Sequence, residues 1–160
     1  MRIFFDTEFT SLTPDAKLIS IGFAAGTGQE FYAELSDTYL TADCSEFCQL
    51  EVLPHLEGGV RRMTLDEVRG KLYSWLTACG PGTTLVCDSP RDIHQLRELF
   101  PDGVPANVSY EVLGWWSNLR RRVANRGRRI HRQLGFRVHH ALDDARVNRL
   151  VLSRRPSRRA

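Results

Sequence analysis

The chain has 160 residues, 42% of them hydrophobic and 26% charged, with a formal net charge of +3, which is enough apolar material for one ordinary domain and excludes a disordered polymer. No apolar run approaches the about 20 residues of a membrane span. The opening Met1-Arg2-Ile3-Phe4-Phe5-Asp6 is too short and too soon acidic for a signal peptide, so a cytoplasmic protein without membrane attachment is expected.

The predicted elements alternate in an α/β order. Arg2 to Asp6 is a short apolar run ending in acids, which predicts a buried strand that delivers carboxylates at its end. Lys17 to Ala25 predicts a second strand, Gly26-Thr27-Gly28 a turn, and Gln29 to Leu35 a third strand in which Phe31, Ala33 and Leu35 alternate with polar neighbours. These three make an antiparallel meander. Ser45 to Leu53 predicts a short helix stopped at Pro54. Thr64 to Cys79 predicts a longer one: Thr64 and Glu67 have the capping-box spacing, Leu65, Val68, Leu72, Trp75 and Leu76 form an apolar stripe, and Gly80-Pro81-Gly82 ends it. Thr83 to Cys87 predicts a fourth strand and Asp92 to Phe100 a helix with Ile93, Leu96 and Leu99 inward. A connection with Pro101 and Pro105 leads to an aromatic segment around Tyr110, Trp115 and Trp116, and Ala141 to Leu152 predicts a final helix. Residues 1–152 are expected to form one domain and residues 153–160, rich in arginine, an unstructured basic tail.

Charge is distributed unevenly. Residues 1–111 hold 8 basic and 17 acidic side chains, whereas residues 112–160 hold 14 arginines and only Asp143 and Asp144 as acids. Arg120, Arg121, Arg122, Arg126, Arg128, Arg129, Arg132 and Arg137 precede those two acids without an intervening carboxylate. Such a block suits contact with phosphates, and Arg rather than Lys suits bidentate contact; a solvated surface face is the alternative. Cys44, Cys48, Cys79 and Cys87 lack Cys-x-x-Cys spacing, which argues against zinc and for buried free thiols.

Two acidic clusters lie far apart along the chain. Asp6 and Glu8 are two residues apart, so a strand continuing through them points both to one face and Thr7 to the other. Carboxylates at the end of a buried strand are costly unless a cation compensates them, although an Asp-x-Glu triplet also occurs in loops and helix starts. His139 and Asp144 are five apart. At about 100° per residue, a continuous helix would separate them by about 140°, so for both to serve one site His139 must sit on the approach to the helix and Asp144 in its first turns. Asp143 and Asp144 also suit ordinary first-turn charges favoured by the helix dipole, with His139 a surface residue and His140 a bystander. Between the clusters, the segment from Leu85 to His94 offers Asp88 and Asp92. Carboxylates drawn from distant segments are what a two-metal phosphodiester hydrolase requires, because two divalent ions about 4 Å apart must be gripped from several directions.

Phe5-Asp6-Thr7-Glu8 resembles the first motif, and His139-His140-Ala141-Leu142-Asp143-Asp144-Ala145 the last motif, of the DEDDh branch of the DnaQ-like 3′-5′ exonucleases in the ribonuclease H-like superfamily. Within that branch, the opening around Asp6-Thr7-Glu8-Phe9-Thr10-Ser11-Leu12 and Leu18-Ile19-Ser20-Ile21-Gly22 is similar to small stand-alone exoribonucleases of the mycobacterial, ribonuclease T-related type. The resemblance covers nearly the whole chain. It implies an α/β, ribonuclease H-like mixed sheet with an antiparallel N-terminal three-stranded meander and flanking helices. It also implies a 3′-5′ exoribonuclease that hydrolyses single-stranded nucleic acid, RNA favoured, to 5′-mononucleotides with two Mg2+ (or Mn2+) ions. Asp6, Glu8, Asp92 and Asp144 would be the metal ligands and His139 the general base. A homodimer is implied as well. The middle motif departs from the family pattern, since Arg91 stands where an aromatic residue precedes the third aspartate. Asp92 opens the predicted helix in the family register, and Asp88 is the alternative. Phe9, Leu12, Trp115 and Trp116 are candidates for stacking on terminal bases, or for core packing. Two other readings remain: a DNA-directed 3′-5′ exonuclease, and a nucleic-acid-binding module that keeps the fold without turnover.

Overall fold

A computed structural model describes residues 1–112 and 117–152. Its strands are β1 (Arg2–Phe9), β2 (Leu18–Ala25), β3 (Glu30–Leu35), β4 (Arg62–Met63), β5 (Thr83–Cys87) and β6 (Val108–Val112), joined in one sheet of order β4-β3-β2-β1-β5-β6. The meander β1-β2-β3 is antiparallel, while β5 pairs with β1, β6 with β5 and β4 with β3 in parallel. The helices are α1 (Glu46–Glu51), α2 (Leu65–Ala78), α3 (Pro90–Leu99), α4 (Ser117–Leu134) and α5 (Ala141–Leu152). This is the ribonuclease H-like α/β arrangement expected. No helix among the described residues is long and apolar enough to cross a membrane.

Alternation along β1 explains how one sheet serves both a core and a site. Ile3 and Phe5 face one side, where they join Phe23 of β2, Val68, Leu72 and Leu76 of α2, and Ile93, Leu96 and Leu99 of α3 in the main core. The rings of Phe5 and Phe23, partners across the β1-β2 ladder, stack with centroids 5.4 Å apart. Each large side chain buried this way contributes about 1.5–3 kcal/mol. On the other face α5 lies over the meander, with Ala141 and Leu142 against Tyr32.

Three expectations need correction. β1 continues beyond Asp6 through Glu8, which pairs with Ser20, and only the irregularity between Glu8 and Phe9 interrupts its register. α3 starts at Pro90 rather than Asp92, because proline fits the first helical turn and the Ser89 hydroxyl caps it by accepting from Arg91 N at 3.2 Å. The arginine-rich stretch, which carried no predicted element, contains the 18-residue helix α4. Its inward face combines Gly127, Ile130 and His131, at helical spacing but too mixed in polarity to form an apolar stripe. The capping box of α2 is present as expected: Thr64 N donates to Glu67 Oε2 at 2.8 Å and Glu67 N to Thr64 Oγ1 at 3.3 Å.

Candidate metal centre

One glycine sets the geometry of the site. Asp6 pairs across the ladder with Gly22, and a Cβ on Gly22 would lie 2.3 Å from Leu142 N and 2.4 Å from Leu142 Cα. Because glycine has no Cβ, the first turn of α5 rests directly on β2 beside Asp6. Asp144, in that first turn, thereby reaches the carboxylates of β1. An isolated glycine inside a strand pattern is a sign of close backbone approach, and it was the available sequence signal for this contact.

Asp6, Glu8 and Asp144 each present a ligand oxygen within 4.8 Å of the others, and Asp6, Asp88 and Asp92 form a second such group. The two groups share Asp6. Residues from β1, the β5-α3 junction and α5, separated by most of the chain, thus converge at one point. Asp92 is buried; its Oδ1 accepts from Thr7 Oγ1 at 2.7 Å and from Thr7 N at 3.2 Å. Its Oδ2 is buried with no hydrogen-bond partner among the described residues. Asp88 is exposed at the end of β5. The structure therefore brings both candidates of the middle segment to Asp6.

Burial and like charge act together on Asp6, Glu8 and Asp92 in this cluster. Removal from water, followed by the charges of Asp92, Asp144, Glu8 and Asp88, raises the Asp6 pKa well above the ordinary carboxylate value. Removal from water and the charges of Asp144 and Asp92 lift Glu8 to about 8. Asp92 rises to about 7, again through desolvation first, with the Thr7 hydroxyl opposing it. None of these three carboxylates makes an ion pair with Lys or Arg among the described residues. Hard oxygen ligands, like charges at close range and an orphaned buried Oδ2 fit divalent cations.

Asp143, next in the chain to Asp144, is built into a different arrangement. Its Oδ2 accepts from Arg137 Nε at 2.7 Å and its Oδ1 from Arg146 Nη1 at 2.7 Å, while Arg137 also reaches Glu57 and Arg146 reaches Glu30. Burial would raise the Asp143 pKa, but the hydrogen bonds from Arg137 and the charges around it leave it lowered. This network ties the approach loop to α5. One expectation changes here. Arg137 is engaged with Asp143 and Glu57 and so is not part of a free basic face. His140 is built into the fold: it is buried at 1% exposure, its ring packs on Tyr32 at 4.5 Å, and its Nδ1 accepts from Asp143 N at 3.3 Å. Burial lowers its pKa first, followed by the Arg137 charge.

His139 sits on the approach to α5, as its spacing from Asp144 requires, with a left-handed φ of 60° that is uncommon for a residue with a Cβ. Its ring meets the edge of Phe47 with centroids 4.9 Å apart. Phe47, on α1 and 54% exposed, had no sequence signal that tied it to the site. His131 of α4 was missed too. Its Nε2 lies 2.9 Å from Asp144 Oδ1 and its Nδ1 3.3 Å from Phe136 O. Both ring nitrogens face acceptors, so the protonated ring is favoured, and the Asp144 hydrogen bond is the leading reason its pKa is raised. Arg126, Arg128, Arg129 and Arg132 are exposed on α4. The side chains of Arg120, Arg121 and Arg122, together with Trp115, Trp116 and residues 153–160, lie outside what the structure describes. The four cysteines are free thiols; Cys44, Cys48 and Cys87 are buried and Cys79 is partly so.

No family profile matches the sequence. Two curated proteins from strains of Mycobacterium tuberculosis, each named a 3′-5′ exoribonuclease, are 32% identical to it over an alignment of 127 positions that spans 64% of this chain and 75% of each relative. The chain belongs to the family of these exoribonucleases.

Proposed function

We propose that the chain is a metal-dependent 3′-5′ exoribonuclease of the DEDDh, DnaQ-like branch that trims single-stranded RNA to 5′-mononucleotides. The observation that carries this reading is the pair of carboxylate groups sharing Asp6, in a chain whose relatives are named 3′-5′ exoribonucleases. Asp6, Glu8 and Asp144 would hold one Mg2+ or Mn2+, and Asp6 and Asp92, with Asp88 beside them, a second. Ions bound there supply Lewis-acid polarisation of the phosphate and activation of the attacking water. His139 takes that water's proton at an imidazole nitrogen as the terminal phosphodiester is attacked, a general-base role that an imidazole on the approach to α5 can fill. Phe47, exposed and in ring contact with His139, offers contact to a terminal base. The exposed arginines of α4 receive the phosphates of the strand behind it.

Matched RNA and DNA oligonucleotides labelled at the 5′ end and assayed with Mg2+, Mn2+ or a chelator test this reading. Expected are a ladder shortening from the 3′ end, faster on RNA, and no cleavage with chelator. Equal rates on RNA and DNA would leave a general 3′-5′ exonuclease. Binding without cleavage under every metal condition would leave a nucleic-acid-binding module on an exonuclease fold.

A further inference from the structure

Asp144 is held from two sides, by one group of its own motif and by one that lies outside it. The backbone N–H of His140 donates to its Oδ2 at 3.1 Å, and His131 Nε2 approaches its Oδ1 at 2.9 Å. His131 belongs to α4, whose neighbouring Arg128, Arg129 and Arg132 are exposed, yet the histidine itself is only 7% exposed. Its other nitrogen is anchored on Phe136 O, and Phe136 N donates back to His131 O at 3.0 Å. The imidazole is thus clamped between two acceptors and has no free lone pair with which to act as a base.

We infer that His131 is a positioning residue for Asp144: by donating Nε2–H to Oδ1 it fixes the rotation of the carboxylate that faces Asp6 and Glu8. The inference rests on the metal-centre reading of those carboxylates. A carboxylate has about four lone-pair positions, so each oxygen of Asp144 keeps one for a cation after accepting a single hydrogen bond. Hydrogen bonds of this kind orient ligating carboxylates, and losing one typically costs about 10–100-fold in metal affinity. The contact also requires α4 to dock on α5. That docking is close, since a Cβ on Gly127 would lie 3.4 Å from Val147 Cγ1. Docking of the arginine helix and orientation of Asp144 are therefore one packing event, and His131 joins the phosphate-facing helix to the carboxylate centre.

Two polar substitutions separate positioning from packing. In His131→Gln the side-chain amide stands near the place of Nε2 and can still donate to Asp144; in His131→Asn it stands near Nδ1 and reaches only Phe136 O. Mn2+ binding by the full chain, measured by electron paramagnetic resonance of the free ion, is read beside the thermal midpoint. The Asn variant is expected to bind Mn2+ about 10–100-fold more weakly and the Gln variant close to wild type, at similar thermal midpoints. Equal Mn2+ affinity in Asn, Gln and wild type overturns the inference, as does a loss in both variants that tracks lowered stability. Failure of the wild-type chain to bind Mn2+ would instead remove the metal reading, and the inference with it.

Discussion

Asp143 and Asp144 are adjacent in the chain and belong to opposite electrostatic arrangements. Asp143 joins Glu30 and Glu57 around Arg137 and Arg146, and all three of those acids have lowered pKa values. Asp144 turns instead toward Asp6 and Glu8, where burial and like charge raise the pKa values of Asp6, Glu8 and Asp92. The first set is satisfied within the fold and fastens α5 to the sheet. The second gathers buried carboxylates close enough to hold a cation between them, an arrangement unlike that of a structural ion-pair network. Adjacent acids in one helical turn can therefore have unrelated purposes, decided by what the rest of the chain brings to each.

The two sets of acids should differ most when one member of each is removed. Asp6→Ala should lower nuclease activity by about 10³-fold or more, with the thermal midpoint unchanged or raised because carboxylate repulsion is relieved. Asp143→Ala should do the reverse, destabilising the fold by about 3 kcal/mol through the stranded arginines, and denaturant titration alongside an activity assay separates the two. Retention of more than a few per cent of activity in Asp6→Ala would remove the carboxylate assignment.

Gly22→Ala tests the packing that brings Asp144 to the first set. The added methyl must displace α5 from β2, at a cost of about 1–3 kcal/mol, and should remove most activity even in the folded fraction. A fully active, stable Gly22→Ala would show that the close approach is unnecessary. Within the first set, Asp92→Asn should lose most activity and Asp88→Asn less, because Asp92 is buried against Thr7 with one oxygen left over whereas Asp88 is exposed. The opposite ranking in single-turnover assays would move the third ligand to Asp88.

The two sets also respond oppositely to pH. Glu8 titrates near 4.5 when free and about 8 in the fold, and Asp92 near 3.8 and about 7, so across that window the folded chain binds more protons than the unfolded one. Stability of the metal-free protein should therefore fall as pH rises from about 4 to about 8, and divalent ions should restore most at the upper end. Glu30, Glu57 and Asp143 have lowered values; their contribution is present above the unfolded carboxylate range and is lost on acidification below it. Thermal melts across pH, with and without Mn2+, read both limbs. A metal-free protein that gains stability steadily from pH 4 to 8 would contradict the first.

The smallest expected effect lies on α4. Replacing Arg126, Arg128, Arg129 and Arg132 by Ala should flatten the salt dependence of RNA affinity, whose log-log slope is about −0.7 per phosphate contacted, while sparing cleavage of a dinucleotide too short to reach the helix. An unchanged slope would return these arginines to a solvated face.

Much of the site could be located along the chain but not assembled. The strands around Phe5-Asp6-Thr7-Glu8, the strand Thr83–Cys87 and the helix Ala141–Leu152 follow from local periodicity and end signals, and the fold class follows from their order. α4 escaped because arginines dominate it and its buried side is made of Gly127, Ile130 and His131, a combination with no apolar period. The engagement of Arg137 and the burial of His140 escaped for a related reason: they depend on Glu57 and Tyr32, distant residues that local pattern cannot bring near, although Asp143 is close in the chain.

By itself the sequence determined the elements and the residue types able to hold cations, because helix and strand periodicity and capping are encoded within a few residues of one another. Tertiary structure alone decided which acids meet. Gly22 admits α5 to within contact of β2, Asp144 turns to Asp6 and Glu8 while Asp143 turns to two arginines, and His131 arrives from α4. Those outcomes depend on distances between segments far apart in the chain, and the energy of a carboxylate is set by the charges and burial that such distances create.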